Sequence, residues 1–131
     1  MISAVNVMAD SSFNSWYKDT TQLAATAAAG ELPGAKGLSV LKKNGCLACH
    51  SIDGSKLVGP TYKGLYGKSE IVESNGKERQ ITADDAYIEK SIYEPNADVV
   101  KGYTAGMMLS YKNTINEEEI KQIIEYLQTL K

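Results

Sequence analysis

The sequence predicts a mainly α-helical domain with one small β element. Three observations carry that prediction. From Asn116 to Leu130 apolar residues recur at helical spacing behind a capping-box start. A single Asn75-Gly76 pair, flanked by alternating runs, is the strong hairpin signal. Both cysteines and the only histidine fall within the five positions Cys46 to His50, so one short motif holds all the thiol and imidazole chemistry of the chain.

The elements follow in order. Val5 and Val7 alternate within ISAVNVM and predict a short strand over Ile2 to Met8. Asp10 or Ser11 can cap a following helix, in which Phe13, Trp16, Tyr17 and Leu23 give a partial apolar stripe. Gly30 and Pro33-Gly34 then break the chain, which makes residues 29–34 a linker. A helix over Ala35 to Asn44 has Leu38, Val40 and Leu41 on its apolar side and ends at Gly45. Residues 50–69 read as loop, with a short helix over Thr61 to Tyr66. Strands are expected near 70–74 and 78–82. Thr82 is the expected cap of a helix over Ala83 to Tyr93, which Pro95 stops. The last helix has Glu117, Glu118 and Glu119 in its first turn, where the helix dipole favours negative charge. Ile120, Ile123, Ile124, Leu127 and Leu130 form its stripe.

The totals exclude several functions. The 131 residues suit one domain with a modest core, which an added organising group would help to stabilise. The net charge of -2 comes without any run of Lys and Arg, so no nucleic-acid partner is expected. No apolar run is long enough to span a bilayer, and no charged-then-apolar leader opens the chain.

Cys46-Leu47-Ala48-Cys49-His50 is the C-x-x-C-H attachment signature of a c-type haem. Two thiols three residues apart can each add to one vinyl group of the porphyrin, and the next residue aims an imidazole at the iron. His50 would then be the proximal ligand. A structural zinc site lacks a fourth ligand of these types. A thioredoxin-like pair wants a preceding strand, where this motif follows a helix end. A Cys46–Cys49 disulfide would close too small a loop to stabilise much.

With His50 alone, ligation by two histidines is excluded and a methionine thioether is the soft alternative on the other face. Met1 and Met8 precede the attachment helix, whereas Met107 and Met108 sit in the Gly-bordered GYTAGMMLSY before the last helix. One of that pair is the expected distal ligand. Gly59-Pro60 offers a turn whose Pro60 carbonyl can accept the other N–H of His50. Arg79, the only arginine, and Trp16, Tyr62, Tyr66, Tyr103 and Tyr111 are candidate donors to the propionates.

The order C-x-x-C-H, Gly-Pro, Met loop and terminal amphipathic helix resembles the class I cytochromes c, over roughly Ala35 to Lys131. The resemblance implies one covalent haem c and one-electron transfer. It also implies that the first and last helices cross at Gly37, Val40 and Leu41 against Tyr126 and Leu127. The family's ligand often precedes Pro, with an aromatic two residues further on. Met108-Leu109-Ser110-Tyr111 repeats this with Leu for Pro, which favours Met108 and keeps Met107 as the alternative.

A second likeness covers residues 1–34. MISAVNVMADSSFNSWY resembles the exit of the copper-binding domain of cytochrome c oxidase subunit II, through Met1, Val5, Val7, Phe13 and Trp16. Some bacterial subunits II carry a fused class I cytochrome c after this point, and the hairpin insertion between Gly67 and Thr82 looks like theirs. The likeness implies an excised fragment: an N-terminal extension and linker over 1–34 and the cytochrome domain over 35–131. It implies a redox-protein donor and the binuclear copper as acceptor. The thiolates such a copper site needs are missing from residues 1–45. The fragment is expected to be soluble, with the parent membrane-anchored in a respiratory chain on the periplasmic side. Two rivals stand beside this: a free-standing soluble electron shuttle, and a haem enzyme or gas sensor with an open sixth site.

Overall fold

A computed structural model of the chain describes residues 34–131. The expected strand at Ile2 to Met8, the helix after it, Met1, Met8 and Trp16 lie outside the described residues.

Helix α1 spans Ala35–Lys43 and ends at Asn44, followed by Gly45 in the left-handed region at φ 70°. Gly45 donates its N–H to the Lys42 carbonyl, which closes the helix end. A 3-10 turn, Cys46–Ala48, follows directly. Strands β1 (Ser69–Ser74) and β2 (Lys77–Thr82) form the hairpin predicted from Asn75-Gly76. Both turn residues have positive φ, 51° and 75°, which is why Asn and Gly are needed there. Helix α2 runs over Asp85–Tyr93 and helix α3 over Glu117–Thr129. The predicted capping box is present: Asn116 accepts from the Glu119 N–H and Glu119 accepts from the Asn116 N–H.

Three local expectations are corrected. Asp84, not Thr82, caps α2, accepting from the Tyr87 N–H at 2.8 Å, while Thr82 finishes β2. No helix forms over residues 61–66. Gly64 has a left-handed backbone, and its N–H donates to the Leu130 carbonyl at 2.7 Å instead of to its own turn. A two-residue strand β3, Val99–Val100, pairs with β1, so the sheet has three strands in the order β2-β1-β3.

The core lies where α1 crosses α3. Leu41, Ile123 and Leu127 are fully buried, each worth roughly 1.5–3 kcal/mol in apolar transfer. The crossing is close because Gly37 has no Cβ: one built there would stand 2.0 Å from the Gln122 carbonyl oxygen and 2.7 Å from Tyr126 Cβ. Gly37 against Tyr126 is therefore the contact the sequence implied. The fold is mainly helical with a small antiparallel sheet, the arrangement that the resemblance to the class I cytochromes c implies. No described helix is long and apolar enough to cross a membrane.

Candidate functional site

Ile123 and Leu127 of α3 form part of the wall of a cavity of about 290 Å³, to which α2, β3 and the connecting loops contribute the rest. Cys46, Cys49, His50 and Pro60 line one side, and Met107 and Met108 another. All six predicted site residues thus meet at one cavity, although the motif and the Met loop are separated by more than half the described chain.

Cys46 in the 3-10 turn and Cys49 at its C-cap are half-buried and not joined to each other by a disulfide. Burial pushes the Cys46 thiol above its ordinary range. His50 is held from three directions. Its Nδ1 lies 2.7 Å from the Pro60 carbonyl oxygen. A carbonyl only accepts, so Nδ1 carries the proton and the lone pair of the neutral ring sits on Nε2. Tyr62 stacks on the imidazole with centroids 4.7 Å apart and planes 9° from parallel. Gly59 closes the third side, since a Cβ there would fall 2.5 Å from His50 Cε1.

Backbone bonds bracket this arrangement. Gly59 donates to the Cys49 carbonyl at 2.8 Å and Tyr62 to the Ser51 carbonyl at 2.7 Å, one on each side of His50. Ser51 Oγ donates to the Ser55 carbonyl at 2.6 Å and lies 2.8 Å from Thr61 Oγ1. Burial lowers the His50 pKa against the opposing pull of the Pro60 bond, so the neutral, ligand-competent imidazole is favoured. Burial also pushes the Tyr62 phenol far above its usual range, so it stays protonated.

The methionine loop is held at its two roots. Asn96 Oδ1 accepts from the Gly106 N–H at 2.8 Å before the methionines. After them, Ser110 Oγ donates to the Tyr93 carbonyl at 2.5 Å, and Tyr111 donates from its N–H to Ile92 and from its hydroxyl to the Asn44 carbonyl. Met107 is 58% exposed and Met108 is half-buried. Lys56 lies over the ring of Tyr103, a residue of the cavity wall, at 5.6 Å.

The candidate propionate donors separate. Tyr62, Tyr103 and Tyr111 reach the cavity wall. Tyr66 instead donates to Asp85 at 2.7 Å. Arg79 is turned to Asp98 in a two-pronged pair. The sequence reading missed Tyr62 as the stacking partner of His50, and missed Asn96 and Asp98 entirely. A Tyr two residues past the Gly-Pro turn was the available signal for the first.

The donor set fits a haem. Two free thiols, an imidazole with its lone pair on Nε2 and a thioether all border one cavity, whose walls include Ile88, Ile92, Val99 and Leu127. Among the described residues no cluster of three His, Cys, Asp or Glu side chains offers a competing metal site.

The family model described as Cytochrome c matches residues 34–131. The chain is 34% identical over 95 residues to cytochrome c2 iso-1 of Magnetospirillum fulvum, covering 67% of this chain and 93% of the relative. It is 31% identical over 93 residues to cytochrome c2 iso-2 of Magnetospirillum molischianum, covering 66% of this chain and 91% of the relative. It is 33% identical over 95 residues to cytochrome c2 iso-1 of Magnetospirillum molischianum, covering 67% and 92%. With the fold, the C-x-x-C-H turn and the cavity it borders, these matches establish that the chain belongs to the cytochrome c family, an electron-transfer protein with a covalently bound haem c on Cys46 and Cys49.

Proposed function

We propose that the protein is a one-electron carrier between redox proteins, its haem iron held between His50 and Met108. The observation that carries this reading is the 2.7 Å contact from His50 Nδ1 to the Pro60 carbonyl. It sets the imidazole lone pair on Nε2, on the wall of a cavity that Met108 also lines. Met108 is the better placed of the two methionines, because it is half-buried where Met107 is 58% exposed.

Bound there, haem supplies an iron that cycles between ferric and ferrous, one electron in from a donor and one out to an acceptor. The chain's own part is to orient and to exclude water. Pro60, Gly59 and Tyr62 hold His50 in one orientation, so little needs to reorganise when charge changes. A thioether on the other face and apolar walls both favour the reduced state.

The free-standing shuttle is the context we favour, because the relatives are cytochromes c2 that are each aligned over most of their own length. Delivery to the binuclear copper of cytochrome c oxidase subunit II is the second reading, favoured by the likeness carried by Met1, Val5, Val7, Phe13 and Trp16. Both imply the periplasmic side of a bacterial membrane, where haem is attached to this motif. Mass of the native protein separates them.

The axial reading is tested by the oxidised optical spectrum. A sulfur-to-iron charge-transfer band is expected, lost in Met108→Ala and kept in Met107→Ala. Met108→Ala should also lower the reduction potential on the order of 0.1 V, within the about 0.8 V that axial ligands span. A protein with no such band that takes up CO at once would instead be a haem enzyme or sensor with an open sixth site.

A further inference from the structure

The chain has a single arginine, and it stands on the hairpin. In the antiparallel register Arg79 faces Val72, and Val72 faces Val100. Directly paired residues share one face of a sheet. Asp98, two residues before Val100 on the same chain, has the same parity. Val72 is fully buried, so this is the covered face. Arg79 reaches across β1 and holds Asp98 with both Nε, at 3.2 Å, and Nη2. The Asp98 side chain is only 4% exposed, and Lys90 of α2 adds a second cation at 3.6 Å.

Asp98 also lines the haem cavity and opens the segment that leads to the methionines. Other bonds hold that segment to the hairpin. Ser74 Oγ donates to the Ala97 carbonyl at 3.0 Å, and the Lys101 N–H to the Ile71 carbonyl at 2.9 Å. Asn96, two residues before Asp98, then accepts from Gly106, next to Met107. From the hairpin to the methionine loop there is a continuous run of bonds; of its two charged links, Lys101–Glu78 is exposed and Arg79–Asp98 is the one with a buried carboxylate.

We propose that the β1–β2 hairpin is a clamp on the methionine loop, with Arg79 and Asp98 as its positioning pair. The clamp keeps Met108 on the iron against competing ligands. It rests on the reading of Met108 as the distal ligand. Without Arg79 the Asp98 carboxylate loses its forked partner while still buried beside the cavity, which favours an opened loop that lets water reach it.

The test uses the oxidised holoprotein and three readouts: the sulfur-to-iron band, far-ultraviolet circular dichroism of the helices, and titration with imidazole as a competing ligand. In Arg79→Gln the band should vanish at lower denaturant while the helix midpoint holds. Imidazole should bind about tenfold more tightly, as the opened state is more populated. Arg79→Lys, which keeps the charge but not the fork, should fall between the two. Adding Asp98→Asn to Arg79→Gln should cause no further loss, because the forked pair the two residues form is already broken. If band and helix midpoints move together, or imidazole affinity is unchanged, the clamp is refuted. An unaltered protein without the band refutes the Met108 reading and the clamp with it. A band that is present but insensitive to Arg79 refutes the clamp alone.

Discussion

The two sides of the cavity are built in different ways. The histidine side packs three neighbours of short sequence separation, Gly59, Pro60 and Tyr62, against one imidazole, with backbone bonds on both flanks. The methionine side is a loop whose tip, Met107 and Leu109, is exposed and whose bonds lie only at its roots. One side is a packed block and the other a tethered span. A packed block fails as part of the fold. A tethered span can open while the fold stays intact, since local opening costs less than global unfolding wherever few buried contacts are lost.

The hardest way to break this contrast is through Tyr62. It joins the imidazole stack to the main core, where it lies buried with Leu41 and Ile123. Tyr62→Ala removes a buried ring and should cost about 3–5 kcal/mol. The band and the helix signal should fall together on heating. A loss of the band alone would mean that the histidine side also opens locally, and the contrast would be false.

Gly59→Ala is a smaller blow to the same side. The new methyl would meet a ring that cannot slide away, because Tyr62 covers its face and Pro60 holds its edge. A cost of about 1–3 kcal/mol is expected from overpacking. The specific signature is spectral: with His50 displaced, the low-spin spectrum should weaken while the haem stays covalently attached, seen as an unchanged mass. An unaltered spectrum would mean that the imidazole has more room than a closed block allows.

The same contrast explains what the sequence made legible. Cys46, Cys49, His50 and Pro60 lie within fifteen positions, so spacing alone put them together. The hairpin was legible because Asn75 and Gly76 both need positive φ. Strand β3 was not, since two residues are too few to show alternation. The helix expected over residues 61–66 is absent for a reason sequence does not show, as the Gly64 amide is claimed by the end of the last helix rather than by a local turn. Arg79, named as a candidate propionate donor, is likewise claimed by a distant partner. A lone arginine suggests an anionic ligand, but its carboxylate partner is 19 residues away, across a strand pairing that only the folded sheet supplies. At its second root and through the hairpin the methionine side depends on such distant partners, so sequence could name its ligand candidates but not what holds them.

The smallest expected effect probes the loop at its first root. Asn96 is exposed, and its side-chain oxygen accepts one backbone N–H, from Gly106. The glycine has φ 78°, a left-handed turn that brings the chain back toward the cavity just before Met107. Asn96→Ala removes the acceptor without touching the core or either methionine. A hydrogen bond of this kind is worth about 0.5–1.5 kcal/mol. Because Asn96 holds only the span, that energy should appear wholly as easier loss of the sulfur-to-iron band in denaturant, with the helix midpoint unmoved. The matched change on the other side is Ser51→Ala, which removes the bond to Ser55 and the contact with Thr61 beside His50. Of similar size, it should instead move both signals together, since Ser51 is buried within the block. Two losses of comparable energy would thus divide differently between the two readouts. If both variants shifted the two signals alike, the sides of the cavity would open as one unit, and the distinction between block and span would be lost.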